Sequence, residues 1–211
     1  VSEGVAEDVR LTTGLSDRLV HVVRNPVITP SLAAEAAAPC PHPWLAANHD
    51  VPVVMGIGRL TEQKDFLSLM RAFAQLTMSV PARLIVLGEG GQRAMLEQEA
   101  RRLGVSGVVA MPGFQPSPYA WLARADLFVL SSRWEGSPNA LTEALALGIP
   151  AVSTDCPSGP RELLADGQFG PLTPVGDPVA LAEAMGAVLR APIPAEPLWR
   201  SGAEYHAERC A

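Results

Sequence analysis

ADLFVLSSRWEGSPNALTEALALGIPAVSTD, residues 125–155, decides the fold. Leu127 to Leu130 form a continuous apolar run, and a loop rich in Gly and Pro follows. Pro138 to Leu147 then read as a helix closed by Gly148, and IPAVSTD is a second apolar run. Strand, helix, strand within thirty-one residues is a crossover unit, which joins parallel strands. The runs do not alternate apolar with polar, so the sheet they enter is covered on both faces.

The same format extends in both directions. VPVVMGIG (51–58), ARLIVLGEGG (82–91) and GVVAMPG (107–113) are apolar runs that end in glycine. Phe66, Leu69, Met70, Phe73 and Leu76 recur at helical spacing, and Gln92 to Leu103 read as a surface helix rich in Glu and Arg. Pro118 to Arg124 and Gly159 to Leu164 are short helices, and GPLTP offers a sixth short strand. Pro178 to Leu189 is a helix capped by Asp177, with proline at its first position. The expected architecture is α/β, a Rossmann-like doubly wound parallel sheet. In such a sheet ligands bind outside the carboxyl ends of the strands. The loops there are GIGRLTEQK, LGEGG, MPGFQPSP, SSRWEGSPN and STDCPSGPRE.

The flanks differ in texture. Glu3 to Leu11 read as a helix and Leu19 to Val23 as a short strand, and a Pro- and Ala-rich run from Pro26 to Asn48 follows. Residues 1–48 are expected to be the remnant of a preceding domain with its linker, 49–190 the ligand-binding domain, and 191–211 a tail. The chain begins with Val1 rather than Met, as expected of a piece of a longer protein.

Composition narrows the function classes. The chain has 211 residues, 48% of them hydrophobic and 18% charged, which is globular rather than disordered. A net charge of −6 without a basic stripe argues against nucleic acid as a partner. Cys40, Cys156 and Cys210 are far apart and odd in number, so free thiols in a reducing, cytoplasmic setting are expected. Neither they nor the four histidines form a metal-ligand spacing. No run is long and apolar enough to be a membrane span.

Several loop residues carry chemistry. Gly58 lets the backbone approach a ligand. Arg59 and Lys64 follow at a helix entrance, where cations and free amides suit a diphosphate. Taken alone, the two cations read rather as a solvated surface pair. GEGG (88–91) lacks the full dinucleotide fingerprint, and there is no P-loop. Glu135 falls in the loop and Glu143 inside the following helix. With Ser137 as cap and Pro138 as first helical residue, the two acids lie too far apart to share a proton. They address different parts of one extended ligand, or only one of them meets a ligand.

Taken together, G-I-G-R-L-x-x-Q-K-x-F, L-x-V-x-G-E-G, A-D-L-F-V-L-S-S-x-x-E-G-x-P-N-x-L-x-E-A-L-A-x-G-x-P and D-C-P-S-G-P-R-E resemble the C-terminal domain of the GT4 family of retaining glycosyltransferases with the GT-B fold. The spacing from Glu135 to Glu143 is the most specific element, and the likeness covers residues 51–190. The resemblance implies a domain that holds a nucleotide sugar. Arg59 and Lys64 would grip the diphosphate beside Gly58. Glu143 would accept hydrogen bonds from the ribose, and Glu135 would sit by the sugar as catalytic group or orienter. The segment Ser137, Pro138 and Asn139 would contact sugar and phosphate, and Met111 to Phe114, including Gly113, would line the base pocket. It further implies no metal or other cofactor and a UDP-linked hexose or N-acetylhexosamine donor. The acceptor, a glycan or lipid-linked glycan, would be held by an absent N-terminal domain, with possible peripheral membrane attachment through that part. A non-catalytic nucleotide- or sugar-sensing domain and an epimerase of the same fold are the competing readings.

Overall fold

The structure is a computed structural model that describes residues 2–40, 42–47, 49–201, 205–208 and 210. Helices α1 (Glu3–Thr13) and α2 (Pro30–Ala36) precede the sheet. Then come β1 (Val53–Ile57), α3 (Phe66–Leu76), β2 (Arg83–Leu87), α4 (Arg93–Arg102), β3 (Val109–Gly113) and α5 (Tyr119–Leu122). The second half is β4 (Leu127–Leu130), α6 (Asn139–Ala146), β5 (Ala151–Thr154), α7 (Pro160–Leu163), β6 (Leu172–Thr173), α8 (Pro178–Arg190) and α9 (Ala195–Ser201).

The six strands pair in parallel in the order β3-β2-β1-β4-β5-β6. This is the doubly wound order, and it reverses between β1 and β4. Because successive side chains of a strand point to opposite faces, each strand feeds two cores. Met55, Ile85, Leu87, Phe128 and Leu130 join α5 and α6 on one face. Val54, Leu84, Val86, Leu127 and Val129 join α3, α4 and α8 on the other. The apolar runs are continuous because both faces are buried.

The flanking segments pack on the first of these cores. Val27, Ile28 and Leu45 from before the sheet, and Leu198 and Tyr205 from after it, are buried in the same cluster as α6. A single parallel bridge joins Ile28 to His206. Asn48, the expected end of the linker, lies outside the described residues. The expected strand over Leu19 to Val23 is not formed. Asp17–Leu19 make a 3-10 turn instead, and Leu19 and Val23 are 67% and 64% exposed. An apolar run becomes a strand only when a neighbour takes up its backbone hydrogen bonds. Among the described residues no strand lies beside this one.

The helix after β4 also starts one residue later than expected. Asn139 is its first residue and Pro138 its cap, with φ −79° and ψ 80°. Pro138 is buried, and a Cβ on Gly159 would fall 2.6 Å from its Cδ. The Asn139 amide closes a turn onto the Ser137 carbonyl at 3.0 Å, so the chain enters the helix through that turn.

Candidate active site at the switch point

The crevice at a strand-order reversal is where two neighbouring loops diverge and leave room for a ligand. Here the loops after β1 and β4 carry Gly58, Arg59 and Lys64 on one side and Glu135 on the other. The glycines make the close approach possible. Gly88 has φ +141°, and a Cβ there would lie 1.9 Å from the Gly58 carbonyl oxygen, so the loops after β1 and β2 touch backbone to backbone. At Gly58 a Cβ would meet the Lys64 stem at 3.1 Å, which places that stem flat along the loop.

Lys64 does not stand free. Its Nζ lies 2.5 Å from Glu135 Oε1, and the side chains are 17% and 5% exposed. The hydroxyl of Ser132, a fully buried residue, donates to the same oxygen at 2.6 Å. The Ser132 carbonyl accepts from Thr154 Oγ1 at 2.6 Å, which ties it to the end of β5. Ser131 Oγ donates to the Lys64 carbonyl at 2.7 Å, and the Arg133 amide to the Gln63 carbonyl at 2.8 Å. Gln63 Nε2 in turn donates to the Trp134 carbonyl at 3.1 Å. The two loops are laced together, so the ion pair is held from both sides. Cys156 lies in the same neighbourhood; burial and the negative charge of Glu135 push its thiol up to about 11.

Beside this pair opens a pocket of about 430 Å³. Gly58, Arg59, Glu89, Phe114, Tyr119 and Glu143 are among its lining residues, and its wall is mostly apolar. Arg59 is exposed, with Gln63 Oε1 at 3.5 Å from its Nη2. Glu143 reaches the pocket from α6. Burial raises its carboxyl to about 7, while the Tyr119 hydroxyl, donating to Oε1 at 3.4 Å, pulls the other way. Tyr119 itself is raised by burial and by the charges of Glu143 and Glu35.

The expected residues therefore divide. Gly58, Arg59, Phe114 and Glu143 line the pocket, and Lys64 and Glu135 stand next to it as a pair. Ser137, Pro138 and Asn139 form the entrance to α6. Ser137 Oγ is buried without a hydrogen-bond partner among the described residues, and Asn139 Oδ1 accepts from Asn25 at 2.9 Å. Gly113 (φ +93°) lies off the pocket lining, with its carbonyl accepting from the Gly88 amide at 2.9 Å. Met111 packs against the second core and gives its carbonyl to Arg93. Sequence reasoning did not single out Ser132 or Tyr119. Ser132 reads as the end of an apolar strand, although a hydroxyl at the carboxyl end of such a strand is a signal. No group of three His, Cys, Asp or Glu side chains that could hold a metal occurs among the described residues.

The profile of the family "Glycosyl transferases group 1" matches residues 51–191. The chain belongs to that family. It is 40% identical over 136 residues to the lipopolysaccharide core biosynthesis glycosyltransferase LpsE of Rhizobium meliloti, covering 64% of this chain and 39% of that protein. With the lipopolysaccharide 1,6-galactosyltransferase of Salmonella typhimurium it shares 30% identity over 179 residues, 82% of this chain and 46% of that one. The chain thus spans less than half the length of these two curated relatives. Among solved structures, HepE of Anabaena in complex with UDP and glucose superposes with a TM-score of 0.76 at 22% identity, covering 99% of this chain and 57% of that one. The doubly wound sheet of this member of the group 1 family is therefore that of the GT-B fold.

Proposed function

We propose that this group 1 glycosyltransferase chain is the donor half of a retaining enzyme of the GT4 type, which transfers a hexose or N-acetylhexosamine from a UDP-linked donor. The observation that carries the reading is the meeting, at the β1/β4 switch point, of a mostly apolar pocket with one buried carboxylate and a cation–carboxylate pair beside it. Phe114 and Tyr119 give a flat wall for a base, and Glu143 gives an acceptor for ribose hydroxyls. Arg59 and Lys64 supply the positive charge that a departing diphosphate needs. Glu135 is the acid placed to meet the sugar, as nucleophile or as orienter. Support for UDP comes from the neighbour solved with it, and for a glycan or lipid-linked acceptor from the lipopolysaccharide relatives.

The acceptor is assigned to a part of the protein outside these residues, because they span less than half of the relatives. The isolated chain is then expected to bind nucleotide weakly and to transfer no sugar. A cytoplasmic enzyme, attached to the membrane surface through that other part and needing no metal, is the setting proposed. No helix long and apolar enough to cross a bilayer occurs among the described residues.

Thermal unfolding of the chain with millimolar UDP, GDP and ADP tests the donor site. A ligand at a hundred times its dissociation constant stabilises by about 2.7 kcal/mol. A midpoint shift with UDP alone supports the reading and names the base. No shift with any nucleotide, for this chain and for the full-length protein alike, rejects it. Loss of transfer in full-length Lys64→Ala separates an enzyme from a sensing domain, which has no transfer to lose.

A further inference from the structure

Glu135 presents its two oxygens to different surroundings. Oε1 takes both available donors, Lys64 Nζ at 2.5 Å and Ser132 Oγ at 2.6 Å. Oε2 accepts from no donor among the described residues. Rotation of the carboxylate about its terminal torsion would swing the free oxygen off its direction, and that torsion is broad when unconstrained. Two donors on one oxygen hold the orientation of the group.

We propose that Ser132 is a positioning residue of the donor site, which with Lys64 pins Oε1 of Glu135 so that Oε2 is the oxygen offered to the donor sugar. This rests on the donor-site reading of the pocket. Ser132 suits the task because nothing about it is loose. It is fully buried, it sits at the second position after β4, and its carbonyl is held by Thr154 from the neighbouring strand. Lys64 by contrast is on a long stem and has a second duty toward the diphosphate. When Lys64 turns to the phosphates, Ser132 is the donor that keeps Glu135 in place. The anchor passes from the sheet through the hydroxyl to the carboxylate, and a reacting group displaced by about 1 Å loses on the order of a hundredfold in rate.

The test uses the full-length enzyme with UDP-glucose, UDP-galactose and their N-acetyl counterparts as probes, reading UDP release. Ser132→Ala is expected to lower kcat by about ten- to a hundredfold. KM for the donor and the UDP-induced shift of the unfolding midpoint should stay as in the parent, which also shows that the variant is folded. Ser132→Cys, close in volume with a weak donor, should fall between the two. An unchanged kcat in Ser132→Ala overturns the proposal. So does a loss of kcat matched by loss of UDP binding, which is the mark of a purely structural role. If the parent enzyme releases UDP from none of the donors, the donor-site reading fails and the inference with it. A productive parent with an indifferent Ser132→Ala sinks only the inference.

Discussion

Lys64 Nζ and Glu135 Oε1 lie 2.5 Å apart across 71 residues of sequence, at the point where the strand order reverses. Both side chains are largely withdrawn from water, so each depends on the other. Removing one partner of such a pair leaves an uncompensated charge and costs about 3–5 kcal/mol, whereas replacing both by neutral groups costs far less. Lys64→Ala is therefore expected to destabilise the chain by about 3 kcal/mol, and Lys64→Met with Glu135→Gln to recover most of that loss. Urea unfolding of the single and double variants measures the coupling. Additive effects would show that the pair is not a unit.

Glu143 gives the site a pH dependence of definite sign. Its carboxyl is raised from the ordinary 4.5 to about 7 by burial. Between those values the folded chain holds a proton that the unfolded chain has lost, so stability falls as pH rises through the window. Glu143→Gln should flatten the fall, and urea midpoints at pH 5 and pH 8 test it.

Nucleotide binding should reverse the burden on the same group. Ribose hydroxyls that donate to Glu143 favour its charged form, so UDP binding should release protons near pH 7 and tighten as pH rises from 6 to 7.5. Calorimetry in buffers of different ionisation enthalpy reads the protons directly. Proton uptake, or none, would contradict the assignment of Glu143 to the ribose.

Two glycines of the same loop should behave in opposite ways. A Cβ at Gly88 would lie 1.9 Å from the Gly58 carbonyl oxygen at φ +141°, while at Gly91 nothing is within 4 Å. Gly88→Ala is expected to cost about 3 kcal/mol or more, through both overpacking and strain. Gly91→Ala should stay within about 0.5 kcal/mol of the parent. Equal melting points for the two variants would show that the loops after β1 and β2 do not touch.

Leu198 tests whether the C-terminal flank belongs to the core. It is fully buried beside α6, in the cluster that also holds Leu141 and Leu145. Leu198→Ala should cost about 2–5 kcal/mol by cavity formation. A loss below about 0.5 kcal/mol, seen in the same unfolding assay, would mark α9 as dispensable.

The sequence by itself determined the sheet and its loops. Apolar runs without alternation, each ending in glycine or a polar loop, admit parallel strands covered on both faces and little else. The helices that were expected fell within a residue or two of their ends, because local capping and periodicity set them, whereas α2 and α9 formed in segments read as linker and tail. The short run from Leu19 to Val23 was misread because strand formation needs a partner, and pairing is not a local property. Arg59 and Glu135 were legible as candidate site residues through their places in the loops, and Glu143 through its place in the helix that follows. The tertiary structure decided how they are shared out. It placed Lys64 on Glu135 rather than free in the crevice, set Tyr119 beside Glu143, and put the Ser132 hydroxyl on the oxygen that Lys64 also holds. Those contacts join residues from different strands and loops. Their distances follow from the strand order, and no spacing along the chain encodes them.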